Sequence, residues 1–534
     1  MNYKVLSTYK PGESLFNQLI KARSITAPAD FLEPSEENEY HYSKLKNMNE
    51  AVDMLVHAIN KDYKILVVLD TDVDGIMSGS MVYRYLTEVA PKFSSYEVSW
   101  VIGNGKAHGL EQYGIEYLSE FDLIIACDSL SNEFDIYEEL VQGGTYVILL
   151  DHHDCVEASQ YAITVNSEMH GYPNRALSGA GVCYKFLQAL DDAFGLEEAD
   201  NYVDLAAVGI IADVMDMRSM ENRSICKRGF ENLNNYGLKK IIGSYAFTSG
   251  SVSFSVAPII NACQRYNNNE LAAQIILSDS KKTVRDNIAE AKDVKVLQKT
   301  ESEKEFELSK IQNETWPNKN FCISFISDNR NLTGLVANKI SDYYQKPAIV
   351  LYTNEGEDYF TGSMRSHTVD NFKDIINNTE LARCDGHQTS AGIFIIKEEL
   401  ADFKKRLDEL LESDAKEPEK LVDFELNLKD INNFMMYELE KIDKITGNNF
   451  KRVSFMAKGI IPKNIGKMKD THTTFKVGDV EFFNWNNTEM CDKIINNECW
   501  GFDVIGGLET SFFRGKKTVN FIIEDYIPLD EIEL

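Results

Sequence analysis

The sequence has no run of about 18 apolar residues, the length a membrane-spanning helix requires, and its opening, Met1 to Pro11, has none of the apolar stretch of a signal peptide. A cytoplasmic protein with no membrane partner is therefore expected. No Cys-x-x-Cys pair occurs among its nine scattered cysteines, which argues against a disulfide framework and a structural zinc site. Basic charge is in deficit as well: 55 Lys and Arg face 84 Asp and Glu, a formal charge of −29. That balance disfavours a broad surface for gripping a phosphate backbone. It remains compatible with a local basic groove, or with divalent cations that neutralise part of a carboxylate cluster.

What is present is a long globular chain. With 534 residues, 43% of them hydrophobic and 26% charged, two or three domains are the expectation. From about 64 to 215, short apolar β-type runs alternate with helical patterns, which predicts a doubly wound α/β domain around a parallel sheet. The runs are Lys64–Leu69, Glu97–Ile102, Leu123–Cys127, Tyr146–Leu150 and Ala162–Val165. Residues near 280 to 312 form a charged stretch without Gly or Pro, which suits a solvated connecting helix. A second α/β segment follows over roughly 320 to 415, with strands at Phe321–Ile326 and Pro347–Tyr352. Beyond about 420 the chain is strand-rich and aromatic, the pattern of a small β domain.

Three of the early runs end in acidic or histidine-bearing turns: Asp70-Thr71-Asp72-Val73-Asp74-Gly75, Asp128-Ser129, and Asp151-His152-His153-Asp154. Ligands in open α/β sheets bind outside the carboxyl ends of the strands, so these turns are expected to converge. Asp213, after the apolar stretch Leu205–Ala212, adds a fourth cluster. An EF-hand reading of the first turn fails because Met81 stands where the twelfth-position Glu would be. Carboxylates with imidazole favour manganese, with magnesium as the alternative. Two such ions about 3.5–4 Å apart would activate a water for in-line displacement at phosphorus. Without cations the carboxylates would repel one another, so raised pKa values are expected.

These clusters resemble, in order, the motifs of the DHH phosphoesterases, and longer stretches resemble the RecJ-type single-stranded-DNA exonucleases. The latter are Asn166, Tyr172-Pro173, Leu177-Ser178-Gly179-Ala180-Gly181-Val182, Asp213 with Glu221-Asn222-Arg223, and Pro258, Asn261-Ala262 and Arg265. Small-molecule members of the family usually carry a His where this chain has Leu66. The resemblance implies Asp70, Asp72, Asp128, His152 and Asp213 as ligands of two divalent ions. It implies catalytic roles for Asp74 as ligand or supporting group, for Asp151 in orienting or bridging, and for His153 in coordinating or polarising the phosphate.

Gly362-Ser363-x-Arg365-Ser366 and Asp385-Gly386-His387 resemble the Gly-Ser-x-Arg-Ser and Gly-Gly-His signatures of the DHH-associated domain. This implies that Ser363, Arg365, Gly386 and His387 engage phosphate, His387 also catalytically, although Asp385 replaces the first glycine and adds negative charge there. Arg265 and Arg223 are candidate phosphate contacts, with a buried structural role the alternative. Lys106 is the nearest substitute for the arginine of the family's 5′-end loop. The segment Leu439–Tyr526 resembles an OB fold, in which Trp485, Phe512, Phe513 and Arg514 would meet a single strand.

The implied organisation is a DHH catalytic domain over 1–280, a connecting helix over 281–315, a DHH-associated substrate domain over 316–418 and an OB-fold-like domain over 419–534. The implied activity is 5′-to-3′ hydrolysis of single-stranded DNA, with a single-strand-binding protein or a helicase as possible protein partners. Two other readings stay open: a phosphodiesterase of short oligonucleotides or cyclic dinucleotides, and a non-catalytic DHH scaffold in DNA replication or repair.

Overall fold

The computed structural model describes the chain except residues 1, 90–95, 106–108, 130, 132–133, 156, 170, 414–418, 514–515 and 530–534, and the side chains of 2, 111, 413, 419, 512–513 and 516–517. Two compact units are present. One is built mainly from Ile259–Ala272 and Asp286–Lys420, the other from Tyr3–Pro258, Ala273–Arg285 and Leu421–Leu534. No helix among the described residues is long and apolar enough to cross a membrane.

The larger unit begins with strand β1 (Asn2–Thr8). It continues into a parallel sheet of β2 (Lys64–Leu69), β3 (Glu97–Ile102), β4 (Leu123–Cys127), β5 (Tyr146–Asp151) and β6 (Ile163–Asn166). Their order is β3-β2-β4-β5-β6, and every pairing is parallel. Ile65 to Leu69 and Leu123 to Cys127 are all buried, so both faces of these strands are covered and they read as continuous apolar runs. Register decides where the chemistry lies. Leu69 pairs with Cys127 and Cys127 with Leu150, so the three strands end level and Asp70, Asp128 and Asp151 leave the sheet side by side.

In the smaller unit β7 (Cys322–Phe325), β8 (Ala348–Tyr352), β9 (Tyr359–Arg365), β10 (Ala382–His387) and β11 (Ser390–Ile396) form a mixed sheet of order β10-β11-β9-β8-β7. Its core gathers Phe321, Ile349, Leu351, Met364, Phe372 and Phe403. Residues Lys281–Thr315 form one 35-residue helix, as the charged, Gly- and Pro-free stretch predicts.

The last part of the larger unit contributes β12 (Glu419–Glu425), β13 (Phe455–Ile460), β14 (Lys463–Met468), β15 (His472–Val477), β16 (Val480–Asn484), β17 (Gly501–Phe513) and β18 (Lys516–Leu529). The eight-stranded sheet runs β1-β12-β13-β17-β18-β16-β15-β14. Strand β1, which the sequence reading groups with the first domain, is thus an edge strand of the C-terminal sheet. The adjoining Leu15–Ala22 helix goes with it: Ser14 Oγ and the Leu15 amide both donate to Glu438, at 2.7 and 2.6 Å. Phe482 stacks between Phe475 and Phe521, at 4.8 and 5.3 Å, and all three rings are core.

Candidate metal centre

Asp72 caps the Val73–Glu88 helix, its Oδ1 accepting from the Gly75 amide at 2.9 Å. That cap turns the chain sharply at the end of β2, so Asp70, Asp72 and Asp74 crowd into one place. Asp128 adopts a left-handed backbone, φ 65°, while its amide donates to Leu150 O at 2.7 Å. A non-glycine residue held there carries local strain, a habit of functional sites. Asp213 ends the Val203–Ala212 helix, and the β-branched Val214 after it is also left-handed, φ 58°.

His152 brings the separate segments together. Its Nε2 lies 3.2 Å from Asp128 Oδ1, 3.3 Å from Asp213 Oδ2 and 4.0 Å from Asp74 Oδ2. Three sets of potential ligand atoms each lie within 4.8 Å of one another: Asp70, Asp72 and Asp128; Asp74, His152 and Asp213; and Asp128, His152 and His153. Asp74 Oδ2, Asp128 Oδ1 and His152 Nε2 are buried and, beyond these close approaches to one another, have no hydrogen-bond partner among the described residues. Orphaned polar atoms of this kind cost about 1–3 kcal/mol each, more when charged. Three of them converging on one spot, carboxylate oxygens with an imidazole nitrogen, fit a divalent cation.

The charges respond to this crowding. Burial, then the fields of Asp74, Asp72 and Asp70, push Asp128 well above the usual carboxylate range. Burial also raises Asp74 against the pull of His152. Asp213 is pushed up to about 8 by burial and by Asp74 and Asp72. His152 is lowered by burial, so its neutral, metal-binding form is favoured.

Asp151 behaves differently. Its Oδ1 accepts from the His152 and His153 amides, at 2.7 and 3.2 Å, and from His153 Nδ1 at 2.8 Å; its Oδ2 accepts from the Ser131 amide at 3.1 Å. Burial alone would raise it, but these donors and the charge of His153 hold it well below the usual carboxylate range. His153, with a side chain 56% exposed, is raised to about 9 by the bond to Asp151. Of the two roles open to Asp151, this geometry is that of a group which orients the His pair.

In the smaller unit Arg365 lies close enough to disfavour the charge of Arg265, while burial alone lowers Arg365. Arg265 is lowered to about 10 by burial and then by Arg365. Arg265 Nη1 donates to Asn261 O at 3.1 Å and Arg365 Nη1 to Met364 O at 2.7 Å, and among the described residues neither pairs with a carboxylate. Two half-buried guanidinia without counter-ions make a ready anion site. Ser363 is buried and its Oγ is 2.9 Å from Thr333 Oγ1. Gly386, φ 130°, lets β10 turn back against Ala391, and His387 beside it is exposed. Asp385 is paired with Arg383 at 3.1 Å, which offsets its extra negative charge.

Trp485 is 44% exposed and stacks on Phe483, ring centroids 5.3 Å apart. Lys106 and Arg514 lie outside the described residues, as do the side chains of Phe512 and Phe513.

Arg223, for which the sequence leaves both a phosphate contact and a buried structural role open, lies in the core. It is fully buried, with Nε donating to Phe31 O at 2.7 Å, Nη1 to Met217 O and Ile445 O at 3.2 and 3.1 Å, and its guanidinium 3.8 Å from the Phe31 ring centroid. Carbonyls of Phe31, Met217 and Ile445 engage its Nε and Nη1, while Nη2 is buried with no hydrogen-bond partner among the described residues. Arg223→Ala is expected to destabilise the protein by about 1–3 kcal/mol or more, because it strands buried carbonyls. Urea denaturation measures this, and a shift under about 1 kcal/mol, typical of surface sites, would refute the buried role.

Sequence reasoning missed Ser178, Gly179 and Gly209 as parts of the site. Ser178 Oγ and the Ala180 amide both donate to Asp74 Oδ1 at 3.1 Å. A Cβ at Gly179 would stand 2.2 Å from Asp128 Oδ1, and one at Gly209 2.0 Å from Asp74 Oδ1. A glycine inside an apolar helical run was the available signal.

Residues 64–210 match the model of the DHH family N-terminal domain, and residues 422–525 that of the RecJ OB domain. The putative SPbeta prophage-derived single-strand DNA-specific exonuclease YorK of Bacillus subtilis is 28% identical over 97% of this chain and 96% of its own length. The single-stranded-DNA-specific exonuclease RecJ of the same organism is 26% identical over 94% of this chain and 65% of its own. The crystal structure of RecJ from Thermus thermophilus in complex with Mn2+ shares the fold, with TM-score 0.80 at 21% identity, covering 100% of this chain and 80% of that one.

Proposed function

We propose that this chain, which joins a DHH family N-terminal domain to a RecJ OB domain, is a metal-dependent exonuclease that hydrolyses single-stranded DNA from the 5′ end. The observation that carries the reading is the convergence of three buried atoms without a hydrogen-bond donor or acceptor partner among the described residues, Asp74 Oδ2, Asp128 Oδ1 and His152 Nε2. Relatives matched over nearly the whole chain bear the name of single-strand-specific exonucleases, which supports the substrate.

Asp70, Asp72, Asp128, His152 and Asp213 are the residues that would hold two divalent ions, Mn2+ by preference. Such a pair supplies an activated water and neutralises charge at the phosphorus. Asp74 presents its Oδ2 to the same site, as a further ligand or as a group supporting the others. Asp151 fixes the ring of His153 and the backbone amides of both histidines, and the protonated His153 polarises the scissile phosphate. Within the smaller unit, Arg265 and Arg365 would take a phosphate of the strand, and His387 would add a further contact to it. Trp485 offers a stacking face for a base, a contact worth about 1–3 kcal/mol and indifferent to sequence. A net charge of −29 confines phosphate binding to such local clusters.

Incubation with Mn2+ and end-labelled oligonucleotides of increasing length tests the proposal. Progressive shortening of long single strands from the 5′ end is expected. Cleavage limited to a few nucleotides would make it a small-oligonucleotide phosphodiesterase, and binding without cleavage would make it a scaffold.

A further inference from the structure

We infer that Ser178 and Gly209 are positioning residues for the metal centre, gripping one oxygen of Asp74 so that only the other faces the ions; this rests on the metal-centre reading above. Asp74 is 1% exposed and lies in the first turn of the Val73–Glu88 helix, where nothing in its own segment fixes its carboxylate plane. Two other helices fix it. Ser178 caps the Gly179–Phe194 helix and accepts from the Gly181 amide at 3.3 Å, so its own proton is free to go to Asp74 Oδ1, 3.1 Å away. The Ala180 amide donates to the same oxygen at 3.1 Å, and the positive end of that helix favours the ionised carboxylate.

The third wall is Gly209. A Cβ there would meet Asp74 Oδ1 at 2.0 Å and Ala180 Cβ at 2.5 Å, so only glycine allows the Val203–Ala212 helix to press against the carboxylate. With Oδ1 held on three sides, Oδ2 is left 4.0 Å from His152 Nε2 with no donor of its own. The same helix start seats a second carboxylate, because Gly179 leaves room for Asp128 Oδ1. One turn, Ser178-Gly179-Ala180, thereby sets the spacing of two acids that follow different strands of the sheet.

Partners behind metal ligands typically govern affinity by about 10–100-fold. The test is calorimetric titration of Mn2+ into the full chain without nucleic acid. Ser178→Gly keeps an acceptable helix cap but removes the donor; Gly209→Ala leaves the cap intact and displaces Asp74. Both variants are expected to bind Mn2+ at least about tenfold more weakly, and to need correspondingly more Mn2+ for half-maximal hydrolysis while KM for the single strand stays put. Circular dichroism without metal checks that each is folded. Wild-type affinity in either folded variant would overturn the inference and leave the nuclease reading standing. A wild-type protein that binds no Mn2+ would overturn both.

Discussion

Asp128→Asn is expected to lower Mn2+-dependent hydrolysis of a single-stranded oligonucleotide by about 10³-fold or more, and to raise the melting temperature of the metal-free protein. The two effects share one cause. Asp128 stands at 1% exposure among Asp70, Asp72, Asp74 and Asp213, and burial together with those charges drives its carboxyl well above the ordinary range. An amide of the same shape is neutral at every pH, so it removes the cost of keeping a buried carboxyl protonated in the metal-free fold. It suits the left-handed backbone at φ 65°, which asparagine tolerates better than most residues. The loss of activity comes from the metal side: ions in such sites supply several kcal/mol of transition-state stabilisation, and each 1.36 kcal/mol is tenfold in rate. His152→Ala is expected to abolish hydrolysis equally, since its Nε2 lies within 3.2–4.0 Å of three carboxylates. Calorimetric melting in EDTA and rate measurements with saturating Mn2+ check both. An Asp128→Asn protein that keeps its turnover would remove that residue from the mechanism, and one that melts earlier would show that the carboxylate is satisfied without a metal.

The strands and their acidic ends were legible because parallel strands covered on both faces leave unbroken apolar runs, and the turn after each run lies by construction at the ligand-binding edge. Sequence cannot show register, yet it is register, Leu69 with Cys127 and Cys127 with Leu150, that brings the three turns level. The placement of β1 was hidden for a related reason: an edge strand pairing with residues four hundred positions away leaves no local trace. Arg223 was ambiguous because the sequence of a guanidinium that binds carbonyls in a core is the same as that of one that binds a phosphate. Ser178 was visible only as part of a motif, since its role depends on an aspartate 104 residues earlier. Asp151 and His153 were recognisable as a pair, but the division of labour between them comes from four donors converging on Asp151.

The metal-free protein is expected to lose stability as pH rises from about 6 to 8, and Mn2+ to reverse that trend. Asp213 is raised to about 8 in the folded chain and lies near 4 when unfolded. Across that interval the folded state holds a proton that the unfolded state has lost. Stability changes with pH as the protons bound by the unfolded state minus those bound by the folded state, so the slope is negative. Asp128 and Asp74, also raised, add in the same direction. His153, raised to about 9, contributes stability that is complete below its unfolded value near 6.5 and is lost as pH climbs through 9, so it steepens the fall. The depressed Asp151 loses its contribution only in acid and leaves this window untouched. Metal binding requires these groups deprotonated, so its affinity grows with pH. At 100 times its dissociation constant a ligand adds about 2.7 kcal/mol to the folded state. Melting scans at pH 6 and pH 8, with EDTA and with Mn2+, should show a Mn2+-induced rise that is larger at pH 8. Equal shifts at both pH values would mean that the carboxylates are ionised before the ion arrives, and that their crowding is relieved by something other than the metal.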